Sequence, residues 1–255
     1  MRPAPADPDF PDSAQAALSA VRSALAREDR ITVLTGAGIS AESGIPTFRG
    51  KGGLWRDREV VRLATPEGFA RDPELVWEFY NWRRGLLKKC APNPAHLALA
   101  ALEKKKKGFV LITQNVDGLH EQAGSENILE LHGNTWRTRC PGCGRTEDDR
   151  RAEIPYPPLC PDCGAMLRPD VVWFGESLDP AILGRAAQAC REARVFLVVG
   201  TSAVVYPAAS LTPLAKHSGA TVIEVNLEPT PHTGLTDYSL TGPAGEILPR
   251  LLENG

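Results

Sequence analysis

The sequence predicts an α/β fold, a doubly wound parallel sheet beside a smaller domain built from two insertions. Three observations predict it. Four short apolar runs, Ile31 to Thr35, Gly108 to Thr113, Val195 to Val199 and Thr221 to Val225, each stop at a polar or glycine-rich cluster. Strands read this way when helices cover both faces and their carboxyl ends open onto a crevice. Stretches of helical apolar spacing separate the runs. Two longer segments interrupt the alternation, and one of them carries paired cysteines.

Taken in order, Met1 to Ser13 (MRPAPADPDFPDS) is rich in Pro and Asp and lacks the basic start and apolar stretch of a secretory signal. A disordered tail is expected there. Ala14 to Arg27 sets Ala17, Leu18, Val21 and Leu25 on one face of an amphipathic helix. Asn93 to Lys107, Pro180 to Glu192 and Pro207 to Ser218 read as crossover helices, and Lys104 to Lys107 suits a helix C-terminus, which favours cations. Residues 49–92 hold no strand-like run, but Pro73 to Lys89 is helical in its spacing of Leu75, Val76, Phe79, Trp82 and Leu86. The larger domain is therefore expected over 14–48, 93–135 and 170–255. The smaller one combines 49–92 with 136–169.

The chain has 255 residues, ample for a packed core, and 29 basic against 31 acidic side chains give a net charge of −2. A protein held mainly by phosphate backbones would carry a basic excess. No apolar run approaches the roughly 18 residues that span a bilayer. Neither a specific nucleic-acid partner nor a membrane is expected, and a cytoplasmic location is.

Four of the six cysteines fall as Cys140-Pro-Gly-Cys143 and Cys160-Pro-Asp-Cys163, with 16 residues between the pairs. This is the spacing of a four-thiolate zinc site. Pro141, Gly142, Gly144, Pro161 and Gly164 supply tight turns that point two sulfurs at one ion. Catalytic zinc usually keeps a position open for water, so four cysteines read as structural. Around them, Arg137, Arg139, Arg145, Arg150, Arg151 and Arg168 are offset by Glu147, Asp148, Asp149, Glu153, Asp162 and Asp170, which leaves no basic stripe. Cys90 and Cys190 read as small buried hydrophobes.

The first strand runs into Gly36-Ala37-Gly38-Ile39-Ser40-Ala41, a Rossmann-like dinucleotide-binding turn. Its backbone N–H groups, Gly36 to Ser40, are expected to approach a pyrophosphate, with a following helix end favouring the charge. The acidic residue that ends the second strand of a conventional fingerprint is missing, because Gly53 to Asp57 does not resemble a strand end. A hydride-transferring dehydrogenase is therefore disfavoured.

Seven motifs, in order, carry a resemblance to a family. Gly36 to Arg49 (GAGISAESGIPTFR), Thr113 to His120 (TQNVDGLH), Glu130 to Asn134 (ELHGN), the cysteine pairs, Val172 to Glu176 (VWFGE), Gly200 to Ser202 and Asn226 to Glu228 resemble sirtuins, the NAD-dependent protein-lysine deacylases. The resemblance implies NAD as co-substrate, one structural zinc, and acylated-lysine proteins as partners; it leaves the oligomeric state open. In that family the acyl oxygen attacks C1′ of the nicotinamide ribose, nicotinamide leaves, and a histidine activates a ribose hydroxyl. Water then completes transfer to O-acyl-ADP-ribose. His132 matches this base, and histidine titrates near neutrality. Asn115 is placed with it as catalytic.

The same resemblance assigns Gln114, Asn115, Val116 and Asp117 to the ribose and nicotinamide pocket. It gives Gly36, Ala37, Gly38, Ser40, Ala41, Glu42 and Trp55 cofactor contacts. Phe48 and Arg49 close over the cofactor, Phe48 shielding C1′. Gly200, Thr201 and Ser202 face phosphate or ribose, Asn226, Leu227 and Glu228 the adenosine side, and Ala244 the adenine. Val172, Trp173, Phe174, Gly175 and Glu176 meet the substrate. His120 takes a structural or positioning part, whereas His96, His217 and His232 match no motif and read as surface or packing residues.

Tyr80 and Arg83 stand three apart, hence on one helical face. They resemble the pair with which some sirtuins bind a succinyl or malonyl carboxylate, a match for a guanidinium fork and a phenol. Ala64 leaves room for a longer acyl chain. A deacetylase that also removes negatively charged acyl groups is expected, with protein mono-ADP-ribosylation as the alternative. Asn134 stands where the family commonly has serine, and Val116 where isoleucine is frequent.

Overall fold

The structure, a computed structural model, describes residues 12–47 and 58–252. The expected tail lies outside these as far as residue 11, and the first helix, α1 (Asp12–Arg27), begins two residues before its expected start. Then follow β1 (Ile31–Thr35), a 3-10 turn (Ala37–Ser43), α2 (Arg58–Leu63), α3 (Pro66–Arg71), α4 (Pro73–Leu87), α5 (Pro94–Lys105), β2 (Val110–Thr113) and α6 (Leu119–Gln122). The chain continues through β3 (Ile128–Glu130), β4 (Gly133–Arg139), β5 (Thr146–Asp148), β6 (Arg168–Val171), α7 (Pro180–Glu192) and β7 (Val195–Val199). It ends with α8 (Leu211–His217), β8 (Thr221–Asn226), β9 (Tyr238–Thr241) and α9 (Ala244–Leu252).

Six strands form a parallel sheet in the order β3-β2-β1-β7-β8-β9. Strand residues alternate faces. Val195, Leu197 and Val199 of β7 join Leu18, Val21, Leu99 and Leu248 of α1, α5 and α9 on one side. Phe196 and Val198 join Ala186, Leu211 and Ala215 of α7 and α8 on the other. Both faces are covered, which is why these strands read as unbroken apolar runs. Cys190 lies in the second cluster, fully buried.

Several helix starts have a local cause. Thr65, Asp72, Asn93 and Asp179 each cap a helix through a side-chain oxygen, and each is followed by proline. A proline at the first helical position gives up an N–H that would have no intrahelical partner.

Three expectations need correction. The helix expected over Pro207 to Ser218 is split, because Ser210 N–H bonds Pro207 O and tightens the first turn to a 3-10 piece, with α8 starting at Leu211. The turn after β1 leads into a 3-10 segment rather than an α-helix. Strands β3 and β9 were not expected at all; both are edge strands, paired on one side only, and need no long apolar run.

The chain order reverses between β1 and β7, the position where open α/β sheets form ligand crevices at the strands' carboxyl ends. Strands β5, β4 and β6 make a separate antiparallel sheet. Helix α4 docks against this segment through one stripe: Trp77 donates to Leu167 O, Asn81 exchanges two bonds with Ile154, and Arg84 reaches Thr135 O, Arg151 O and Asp149. No helix among the described residues is long and apolar enough to cross a membrane.

Candidate active site

A cavity of ≈ 580 Å³ opens at this reversal point. Its floor is a contact between two glycine-containing strand exits. Gly36 N–H bonds Val199 O at 3.0 Å and Gly38 N–H bonds Gly200 O at 2.8 Å. A Cβ at Gly38 would stand 2.7 Å from Gly200 backbone atoms, and Gly200 itself has φ of 59°. Only glycine fits this crossing. The amides of Gly36 and Gly38 are thus engaged by the sheet, which narrows the expected anion cradle to the start of the 3-10 turn, where N–H groups lack intrahelical partners.

On the cavity wall lie Gly36, Ala37, Gly38, Ala64, Tyr80, Arg83, Gln114, Asn115, Val116 and His132. Val172, Trp173, Phe174, Gly175, Glu176, Gly200, Thr201, Ser202, Asn226, Leu227 and Glu228 complete the expected set there. Ser40, Ala41, Glu42, Asp117 and Ala244 are not on the wall. Phe48, Arg49 and Trp55 lie outside the described residues. Glu42 instead accepts a bond from Gly245 N–H at 2.7 Å, tying the 3-10 turn to the start of α9. The cavity also takes in Thr47, Val205, Tyr206 and Pro229 to Pro231. Thr47 lies within the Gly36 to Arg49 motif; the others lie in loops, and only their adjacency to Gly200 to Ser202 and Asn226 to Glu228 could have signalled them.

His132 follows β3, held where Leu131 N–H bonds Thr113 O and Val172 N–H bonds His132 O. Gly133 next to it has φ of 76°, and a Cβ there would strike Asp170 O. The His132 Nδ1 lies 2.9 Å from Gln114 O. A carbonyl can only accept, so Nδ1 carries the proton and Nε2 keeps its lone pair. Burial holds the His132 pKa below the ordinary 6.5, against the Gln114 bond that raises it. The imidazole is therefore a neutral base at pH 7. Gln114 Nε2 donates to Thr201 Oγ1 at 2.9 Å, linking the β2 and β7 exits. Asn134 clamps the same turn, donating to Glu130 at 2.6 Å and accepting from Trp136 N–H.

Behind this wall sits a buried polar network. Ser40 donates to Asp117 Oδ2 at 2.8 Å and accepts from Asn115 Nδ2 at 3.1 Å. His96 Nε2 lies 3.3 Å from the same hydroxyl, while its Nδ1 accepts from Asn93 N–H. Asp117 also accepts from Leu119 N–H. Burial raises the Asp117 pKa, and these hydrogen bonds and Arg83 oppose the rise. Of the two readings of His96, surface or packing, burial bears out packing, and the side chain also joins the site's network. The signal was its place three residues after the Asn93 cap, whose backbone N–H it satisfies. His120 Nε2 lies 3.0 Å from Thr35 Oγ1.

The second stripe of α4 forms the cavity's far wall. Tyr80 and Arg83 are 4% and 5% exposed. Burial pushes the Arg83 pKa down, and Tyr80 and Asp117 push it back up. Tyr80 Oη accepts from Trp173 Nε1 at 2.8 Å.

The four paired cysteines converge. Their sulfurs all lie within 4.8 Å of one another, with Cys140–Cys163 at 3.4 Å and Cys143–Cys160 at 3.7 Å. Four thiolates around tetrahedral zinc at about 2.3 Å stand about 3.8 Å apart. The two turns repeat one hydrogen-bond pattern: Cys140 N–H to Arg145 O and Gly144 N–H to Cys140 O, then Cys160 N–H to Ala165 O and Gly164 N–H to Cys160 O. The donor set fits one structural zinc. All six arginines around it pair with carboxylates.

The Sir2 family model matches residues 36–207. An NAD-dependent protein deacylase of Pyrococcus furiosus is 52% identical over 242 residues, 92% of this chain and 97% of that protein. One of Aquifex aeolicus is 57% identical over 208 residues, 81% of this chain and 87% of that protein. A solved Sir2 homolog–NAD complex superposes with a TM-score of 0.86 at 48% identity, covering 92% of each chain. A Sir2–p53 peptide–NAD+ structure gives 0.80 at 35% identity, covering 91% of this chain and 96% of that one.

Proposed function

Since the chain belongs to the Sir2 family and is an NAD-dependent protein deacylase, we propose that its acyl pocket accepts succinyl and malonyl groups on protein lysines as well as acetyl. The observation that carries this reading is Arg83, a guanidinium 5% exposed on the cavity wall beside Tyr80. Its cationic fork is presented to the cavity, where a carboxylate can meet it. A carboxylate entering the cavity would add to Arg83's charge interactions through a planar fork suited to two oxygens. Ala64, 4% exposed on the same wall, keeps the volume open.

The remaining roles follow from placement. Bound NAD supplies the ribose carbon that receives the acyl oxygen as nicotinamide departs. The start of the 3-10 turn at Ala37, with Thr201 and Ser202, would hold its phosphates, and Asn226 and Glu228 its adenosine side. Asn115, fixed by Ser40, orients the nicotinamide ribose. His132 would take a ribose hydroxyl proton at Nε2 while Gln114 O holds its tautomer. The wall holds the reacting groups in place, so positioning contributes directly to rate. Acylated-lysine proteins are the proposed partners, in line with the peptide complex of the relative. A cytoplasmic location belongs to the same reading and rests on cysteines placed for metal.

Arg83→Met tests the acyl class. The ratio of kcat/KM on succinyl- to acetyl-lysine peptide should fall by at least about tenfold, the worth of one charge-assisted contact. Equal losses on both peptides would contradict the carboxylate pocket.

A further inference from the structure

Tyr80 does not stand alone in the acyl wall. Trp173 Nε1–H donates to Tyr80 Oη at 2.8 Å, a bond buried on both sides. A phenol oxygen has two favoured in-plane positions, one for its own hydrogen and one for a donor. With the indole N–H in one of them, the Tyr80 hydrogen must take the other. Tyr80 is then a donor to whatever the cavity holds, and a carboxylate is the acceptor that uses it best.

Trp173 is itself braced by charge. The Arg168 guanidinium carbon lies 3.4 Å from the centroid of its ring. Arg168 forks onto both oxygens of Glu176, the second at 2.9 Å, and donates to Val171 O. Glu176 Oε2 in turn accepts Trp173 N–H at 2.8 Å. A cation over an indole draws electron density from the ring and strengthens its N–H as a donor. Phe69 packs on the same ring at 5.3 Å, so the indole cannot turn away. Glu176, although it faces the cavity, is engaged in holding this brace.

We propose that Trp173 is a positioning residue for acyl specificity, its indole N–H fixing Tyr80 as a hydrogen-bond donor that acts with Arg83 on a carboxylate-bearing acyl group. The proposal rests on the carboxylate reading of the pocket and adds the residue that orients it.

The test is the ratio of kcat/KM for succinyl-lysine over acetyl-lysine on one peptide sequence, with full-length enzyme and saturating NAD. Trp173→Phe keeps a ring and removes the N–H; the ratio should fall about tenfold, mostly through KM of the succinyl peptide. Replacing Trp173 by benzothienylalanine, a near-isostere with sulfur in place of N–H, should give the same fall and covers a Phe variant that folds poorly. Tyr80→Phe should lower the ratio as far, and Tyr80→Phe with Trp173→Phe no further, since both act through the one Tyr80–carboxylate contact. If wild-type enzyme removes succinyl but both Trp173 replacements leave the ratio unchanged, or the double variant is additive, the positioning role is wrong. If wild-type enzyme removes no succinyl or malonyl group, the carboxylate reading falls and this proposal with it.

Discussion

His132 Nδ1 lies 2.9 Å from the carbonyl oxygen of Gln114. That contact and burial act in opposite directions on the imidazole, and burial is the larger. The folded pKa lies below the ordinary 6.5, so the neutral base is present throughout the neutral range and is lost only as pH falls through the lowered value. The acid limb of kcat/KM on any acyl peptide should therefore lie below pH 6.5. A limb at or above pH 6.5 in the measured pH profile would contradict this placement of His132.

Replacing His132 by Tyr should lower kcat on acetyl, succinyl and malonyl peptides alike, by about 10²-fold or more, the usual contribution of general base catalysis. Steady-state kinetics on the three peptides would show it. A loss confined to one acyl group would make His132 a specificity residue.

Helix α4 couples the cysteine segment to the acyl wall. Trp77, Asn81 and Arg84 dock it on one side, and Tyr80 and Arg83 line the cavity on the other. One zinc per chain should be found by elemental analysis, and its removal by a strong chelator should lower the melting temperature and abolish deacylation of every peptide. Full activity in metal-free enzyme would separate the zinc segment from the site.

Gly38 has no room for a side chain, its Cβ position being 2.7 Å from Gly200. Gly38→Ala should destabilise the fold by about 1–3 kcal/mol, as overpacking does, and weaken NAD binding by parting the β1 and β7 exits. Thermal melts and calorimetric titration of NAD measure both; unchanged values would refute the crossing.

Burial lowers the His96 pKa to about 4. The unfolded chain binds a proton near pH 6.5 that the folded chain refuses, so stability is complete above pH 6.5 and declines between there and about 4. The full loss amounts to roughly 3 kcal/mol. Urea unfolding at pH 5 and pH 7.5 should show lower stability at the acid value, with a smaller difference in His96→Asn.

Much of this was legible in the sequence, for physical reasons. Val195 to Val199 read as a strand because both its faces are covered, and the start of α7 was legible because Asp179 caps it and Pro180 opens it. The cysteine turns were legible because two-residue spacing permits little else. Edge strands β3 and β9 were not, since half-paired strands leave a weak pattern. His96 escaped because its contact to Ser40 crosses 56 positions of sequence, and the Trp173–Tyr80 bond because it spans 93. The 3-10 turn after β1 was hidden by a glycine pattern that also opens α-helices.

Mass spectrometry of one peptide carrying acetyl-, succinyl- or malonyl-lysine, incubated with and without NAD, tests the central claim most directly. All three acyl groups should be lost only when NAD is present, with O-acyl-ADP-ribose appearing in step. Retention of every acyl group in the presence of NAD would contradict it.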